Sequence, residues 1–282
     1  MKYILSGFSD EIDASISKQF DGLSALGMKW FEIRGVDGEN IGDISEEKAR
    51  EVKSLADARG IAVSSIGSPI GKISIKDPIE PHLEKLRHVI SLAKIFSTKY
   101  IRMFSFFMPK GEDPEIYRDE VVARLKMMAK IAEDEGVILL HENEKGIYGD
   151  TPERCRYILD AVDSDNFRAV LDPANFVQCG CTPCPDAYEM LKDKVEYIHI
   201  KDAVGEKVVP PGMGDGTIYE LLSALSRDGY EGFISLEPHL AQFDGLAGLE
   251  EEGNTSAVNE EKAGLHTFKI AYDAFNKIVE SI

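Results

Sequence analysis

Four residues in the second half of the chain close apolar runs with groups that bind metals or move protons: Glu142 in "VILLHENE", Asp172 in "AVLDPAN", His199 in "YIHIKD" and Glu237 in "FISLEPH". A single capping aspartate after an apolar run is common, but four such residues at the same relative place are harder to dismiss. Three carboxylates gathered at one spot repel one another and raise one another's pKa values. A divalent cation removes that conflict. Three oxygen ligands and one nitrogen suit Mn2+, Mg2+, Co2+ or a catalytic Zn2+, with positions left for water or substrate. The expected cofactor is therefore one divalent metal ion held by Glu142, Asp172, His199 and Glu237.

Such a site requires elements that bring the four together. Short apolar runs bounded by turn residues read as strands buried on both faces. Candidates are Tyr3–Phe8, Trp30–Arg34, Ile61–Ile66, Tyr100–Phe104, Val137–Glu142, Arg168–Asp172, Glu196–Ile200 and Phe233–Glu237. Helical patterns lie between them. One opens on Ser45 and closes on Gly60, and others open on Asp77, on Asp113 and on Asp150 or Thr151, each followed closely by a proline. These are the side-chain caps, first-turn prolines and terminal glycines of helices. Eight strand–helix units of roughly thirty residues predict an α/β fold, a closed (β/α)8 barrel forming a single domain over residues 1–282. An open doubly wound sheet would favour a phosphate-binding glycine fingerprint after the first strand, and "SGFSDEI" has a single glycine. In such barrels the chemistry sits at the C-terminal mouth.

Strand alternation sorts the polar block "HENE". Glu142 points towards the barrel axis and His141 away from it, as a core or shell histidine with its hydrogen bonds satisfied. Lys201 shares the face of His199 and is a candidate for a substrate oxygen, or for a salt bridge to Asp202 or another acid of the mouth. Glu144 is a candidate to orient a ligand, and His239 is ambiguous. Strands one to four offer fewer ligands. Asp10 reads equally as a helix cap; Glu32 and Arg34 share a face that Arg102 can join, as a buried ion-pair layer or, for Arg34, a substrate contact.

The totals narrow the function classes. Lys and Arg number 32 against 50 Asp and Glu, for a net charge of −18. That field repels polyanions, and no basic cluster offsets it, so nucleic acid is not an expected partner. The start "MKYILSGFSDEI" is too short an apolar run for a signal peptide and no later run approaches a membrane span, which predicts a cytoplasmic protein without membrane attachment. Cys179, Cys181 and Cys184 in "QCGCTPCP" resemble a zinc hook, but lack two well-spaced ligand pairs and read as incidental reduced thiols.

The ordered set "HENE", "LDPAN", "HIKD", "PGMGDG" and "SLEPH" at successive strand ends resembles the sugar-phosphate isomerase/epimerase family, within the xylose-isomerase-like TIM barrels. The likeness runs from "GFSDEI" to strand eight and is strongest over residues 137–240. It implies the same four metal ligands, with Glu142 and Glu237 as an acid–base pair on opposite faces of a small carbohydrate. Asn175 stands where ketose 3-epimerases of the family typically have a substrate-binding histidine; it is carried over as a substrate contact, and the departure leaves the sugar open.

A Lewis-acid metal and two glutamates suit isomerisation or epimerisation through an enediolate. The alternative is a lyase, as in inosose dehydratases, expelling a β-hydroxyl. A nuclease resembling endonuclease IV needs many histidine ligands; the chain has six histidines and none ends strands three or four. A non-catalytic sugar-binding protein would not need both glutamates. The loop "VVPPGMGDGTIYELL" leads to a helix starting near Asp215 or Thr217, a plain capped start or a set of amides for a phosphate. The segment Leu240 to Glu261 reads as a lid carrying Phe243, a homo-oligomer contact or a disordered bulge.

Overall fold

The fold is known from a computed structural model, which describes residues 2–243 and 259–282. Eight parallel strands form the barrel: β1 (Lys2–Gly7), β2 (Trp30–Ile33), β3 (Ala62–Gly67), β4 (Tyr100–Met103), β5 (Ile138–Glu142), β6 (Phe167–Leu171), β7 (Val195–Ile200) and β8 (Glu231–Leu236). Hydrogen bonding runs in the order β1-β8-β7-β6-β5-β4-β3-β2, and β1 also lies beside β2, so the barrel is nearly closed. Helices alternate with the strands: α1 (Ile16–Ala25), α2 (Glu46–Ala58), α3 (Glu80–Phe96), α4 (Arg118–Glu135), α5 (Pro152–Val162), α6 (Pro173–Gln178), α7 (Ile218–Arg227) and α8 (Leu265–Val279). The eight strands and their alternation with helices match the reading of the sequence. Among the described residues no helix is long and apolar enough to cross a membrane.

The barrel interior is layered. At the base, Phe233 packs against Trp30, Tyr100 and Tyr197 at ring separations of 5.2, 6.2 and 5.7 Å. Above it lies a small polar layer, in which Ser64 Oγ is 2.6 Å from Ser6 Oγ and accepts from Tyr197 OH at 2.9 Å. The third layer, at the C-terminal mouth, is charged. Filled layers of alternating inward side chains are what a barrel of this size requires.

Helix ends largely follow the sequence signals. Ser45 accepts from Lys48 N, Thr151 from Arg154 N, and α4 closes on Gly136 in the left-handed region. Two starts differ. Asp77 caps no helix: its side chain accepts from Ser74 N and its carbonyl from Arg124, which fixes it in the preceding loop and delays α3 to Glu80. The helix after "PGMGDG" begins at Ile218, and Thr217 gives it no side-chain cap because its hydroxyl accepts from Cys184 N. Most of the 240–261 segment lies outside the described residues.

Candidate active site

The four strand ends converge. Glu142, Asp172, His199 and Glu237 each offer one ligand atom, and these atoms lie within 4.8 Å of one another, all buried. Glu142 completes β5, with Oε1 2.9 Å from His199 Nδ1 and Oε2 accepting from Arg102 Nη1 at 3.2 Å. Asp172 follows β6 and caps α6, its Oδ1 accepting from Asn175 N at 2.9 Å. Its other oxygen, Oδ2, accepts no hydrogen bond among the described residues, although the Lys201 ammonium stands 3.2 Å away. His199 is spanned by two carboxylates, with Glu32 Oε2 3.1 Å from Nε2. Glu237 Oε1 accepts from Arg34 at 2.8 Å and Oε2 from Lys201 at 3.1 Å.

The electrostatics follow from burial among mixed charges. Burial, aided by Glu142 and Glu237 and opposed by Lys201, lifts the Asp172 carboxyl to about 7. Burial also works against the charged forms of Glu142 and His199, but their mutual attraction prevails. Glu142 is held down at about 2, and His199, between Glu142 and Glu32, is pushed up to about 10. Glu237 resists the effect of burial through Lys201, His239 and His199 and lies well below the usual carboxylate range.

The other candidates take distinct places. Asn175 Nδ2 donates to Asn143 O at 2.9 Å and, at 3.4 Å, to Glu142 Oε1. Lys201 bridges Asp172 and Glu237 rather than pairing with Asp202. Glu144 pairs with Lys72 at 3.0 Å over the Phe104 face. Arg34 makes a two-pronged contact with Asp10, reaches Glu11 and Glu237, and lies between the rings of Phe8 and Phe243. Asp10 is thus Arg34's partner rather than a helix cap. His239 Nε2 lies 3.2 Å from Arg34 Nη1, and since a guanidinium only donates, Nε2 accepts. His141 faces outward, its Nε2 partnered by Ser105 Oγ at 3.0 Å, while among the described residues Nδ1 has no partner, so this histidine is half satisfied.

Three contributors escaped the sequence reading. Asn143 ties strands β5 and β6 together, donating to Asp172 O and accepting from Asp172 N, both at 2.9 Å. Glu11 stands beside Asp10 in "GFSDEI", where a second acid adds no signal of its own. Lys72 lies five residues beyond β3, in a loop whose inward turn leaves no periodic signal. Cys155, Cys179, Cys181 and Cys184 are free thiols, and burial raises each of them.

The donor set fits a divalent ion. Seven carboxyl groups (Asp10, Glu11, Glu32, Glu142, Glu144, Asp172, Glu237) meet four lysine and arginine side chains (Arg34, Lys72, Arg102, Lys201) in the mouth. Burial lifts Glu11 to about 8, which keeps it protonated at neutral pH. With His199 neutral and Asp172 ionised, as metal ligands must be, two negative charges would remain in excess, the charge of one divalent cation. Asp172 Oδ2 is a buried oxygen without a hydrogen bond, and His199 already has one nitrogen towards the carboxylates and the other fixed by Glu32, as metal-binding histidines usually do.

Comparison with known proteins agrees with this architecture. The family described as xylose isomerase-like TIM barrel matches residues 20–258. A 3-dehydroshikimate dehydratase of Bacillus anthracis is 23% identical over 202 residues, covering 71% of this chain and 68% of that protein. A 2-epi-5-epi-valiolone 7-phosphate 2-epimerase of an Actinoplanes species is 26% identical over 184 residues, covering 63% of this chain and 65% of that protein. Among solved structures, a D-allulose 3-epimerase from Methylomonas sp. in complex with D-allulose superimposes with a TM-score of 0.77 at 18% identity, covering 100% of this chain and 98% of that one. At that identity the structural likeness concerns the fold.

Proposed function

This chain belongs to the xylose isomerase-like TIM barrel family, and from the site it carries we propose that it is a divalent-metal-dependent isomerase or epimerase of a small polyhydroxy carbonyl compound, with the whole chain as one barrel domain working in the cytoplasm. The observation that supports this most is the buried convergence of Glu142, Asp172, His199 and Glu237 within 4.8 Å at the barrel mouth. These four residues would hold the ion. When bound there, it would supply Lewis-acid polarisation of a substrate's carbonyl and hydroxyl oxygens, favouring an enediolate on deprotonation.

The protein's own side chains move the protons. Glu142 and Glu237 come from β5 and from the end of β8, and both are held as carboxylates at neutral pH. Each is therefore in the form that accepts a proton from carbon. Their orientation is fixed at both oxygens, Glu142 by His199 and Arg102, Glu237 by Arg34 and Lys201. Glu237 serves the opposite face, as the base when the reaction runs the other way, and returns a proton to carbon only after it has taken one up. Lys201 Nζ, 3.1 Å from Glu237 Oε2, holds that carboxylate in place. Epimerisation uses both faces, whereas isomerisation moves the proton between neighbouring carbons.

A dehydratase is the second reading, favoured by the 23% identity to a 3-dehydroshikimate dehydratase. It would use the same base and expel a hydroxyl. One assay separates the two: metal-loaded protein is incubated in D2O with ketoses, inososes and their phosphates, and carbon-bound exchange is followed by NMR. Deuterium uptake without mass loss supports the isomerase or epimerase, and a product lighter by one water supports the lyase. No exchange with any compound, together with no bound metal by elemental analysis, rejects both.

A further inference from the structure

A lysine–glutamate pair lies in the barrel mouth beside the ligand cluster. Lys72 Nζ stands 3.0 Å from each oxygen of Glu144. It lies 4.4 Å from the centre of the Phe104 ring, and the Arg102 guanidinium, which holds Glu142, lies 4.9 Å from the same ring. Glu144 follows Glu142 by two residues, so alternation returns it to the same face of the barrel wall, about 6–7 Å further along. Side-chain exposure rises from 2% at Glu142 to 17% at Glu144, so that step leads towards solvent. Burial lowers the Lys72 ammonium and raises the Glu144 carboxyl. Beyond each other, the groups that act on them are Arg102 and Glu142 on the lysine, and Glu142 and Lys201 on the glutamate. The pair therefore borders the cluster on its solvent side.

The pair is not what holds its loop. Phe104, Phe106 and Phe107 donate their N–H groups to Ile70 O, Gly71 O and Ile73 O at 2.8, 3.1 and 2.9 Å, so backbone bonds fix the chain on both sides of Lys72. Apolar side chains of similar volume often stabilise as well as a buried ion pair does, and a loop already fixed gains little from two charges. One oxygen also stands unused: Glu144 Oε2, sealed from solvent, accepts no hydrogen bond among the described residues. We propose that Lys72 and Glu144 form a specificity-determining subsite for one substrate hydroxyl, carried on a carbon beyond those whose oxygens the ion would hold. The hydroxyl oxygen accepts from Lys72 Nζ while its hydrogen is donated to Glu144 Oε2, a double role that an alcohol fills and a C–H group does not. The proposal rests on the reading of the site given above and adds the residues that choose among its substrates.

The test compares hexuloses and inososes with their singly deoxygenated analogues in the D2O exchange assay, on the metal-loaded full chain. For the natural chain, removal of one particular hydroxyl is expected to lower kcat/KM by about ten- to a hundredfold, mostly through KM, as the loss of a hydrogen bond to a charged group does. The double variant Lys72→Met/Glu144→Leu leaves neither charge buried without its partner. Its barrel and its bound metal are expected to persist, by circular dichroism and elemental analysis. In that variant the parent compound and the same deoxy analogue are expected to exchange equally, to within about twofold. A pair with a purely structural role would slow both compounds alike and leave the discrimination intact, which overturns the inference while the isomerase or epimerase reading stands. A natural chain indifferent to every hydroxyl overturns it too. Should the double variant fail to fold, Glu144→Gln, whose amide oxygen can still accept from Lys72, is expected to shrink the discrimination at that hydroxyl, and an unchanged ratio overturns the inference. If no compound exchanges, the isomerase or epimerase reading falls, and calorimetric titration of the full chain with the same hexuloses and inososes decides the inference. Binding that the variant weakens supports it; no binding, or equal binding by both chains, overturns it.

Discussion

His199 Nε2 lies 3.1 Å from Glu32 Oε2, with both side chains sealed from solvent, while Nδ1 of the same ring faces Glu142 at 2.9 Å. The ring therefore has one nitrogen for the ligand cluster and one held by a carboxylate from a strand across the barrel. Fixing the far nitrogen sets the tautomer and raises the basicity of the near one. Glu32→Gln is expected to weaken divalent metal affinity by about 10–100-fold, with the barrel retained. A chelator-competition titration alongside circular dichroism measures both. Unchanged affinity in a folded variant would show that Glu32 is a packing residue only.

Metal affinity should rise steeply with pH. Without metal, His199 keeps its proton up to about 10 and Asp172 up to about 7. A cation entering between pH 7 and 10 must displace the histidine proton, so affinity should climb about tenfold per pH unit there. Below pH 7 a second proton leaves Asp172, and the climb should approach a hundredfold per unit. The stability of the metal-free protein runs the other way. A raised histidine pKa favours folding below the unfolded value near 6.5, and that contribution is lost as pH rises through about 10. Isothermal titrations at several pH values, corrected for buffer ionisation, test the slope; an affinity flat from pH 7 to 9 contradicts it.

Loss of Arg34 should cost stability more than it costs binding. Its guanidinium, buried between Phe8 and Phe243, faces Asp10, Glu11 and Glu237 at once. Removing it leaves carboxylates buried without their partner, and breaking a buried ion pair in this way costs about 3–5 kcal/mol. Arg34→Met is expected to lower the urea midpoint accordingly. Arg34→Lys should recover little, because a single ammonium cannot reproduce the paired contact with Asp10. An unfolding free energy within about 0.5 kcal/mol of that of the natural chain would remove Arg34 from the framework of the site.

What the sequence revealed and what it hid divide along a physical line. Alternation along a strand is a local rule, and it separated Glu142 from His141 and placed Glu32 and Arg34 on one face. Apolar runs ending in polar residues gave all eight strands to within a residue or two. Irregular backbone has no period. Nothing in "GSPIGKIS" shows that Lys72 turns back over Phe104 to meet Glu144, and "PGMGDG" could not show that its amides close on Asp202. Asp77 carried a good helix signal, aspartate before proline, but Ser74 and Arg124 hold it in the loop. Asn143 sits in a motif of four polar residues, and only the approach of β6 makes it a clamp on Asp172.

The loop that presents Lys72 depends on one backbone conformation, and a single methyl group should break it. Gly71 has φ +89°, a conformation L side chains rarely adopt, and a Cβ there would overlap the Phe104 carbonyl. The same residue donates its N–H to His82 Nε2 at 2.6 Å and accepts from Phe106 N at 3.1 Å, so the strain cannot be relieved by a simple peptide rotation. Gly71→Ala is expected to destabilise the protein by at least about 2 kcal/mol. It should also move Lys72 off Glu144, raising KM for the substrate found in the exchange screen more than it lowers kcat, because the metal ligands lie on other strands. Lys72→Met should reproduce the KM effect, with a stability cost of its own because it leaves the buried Glu144 carboxylate unpaired. If Gly71→Ala is as stable as the natural chain and binds substrate equally well, the loop is not the rigid support this geometry describes.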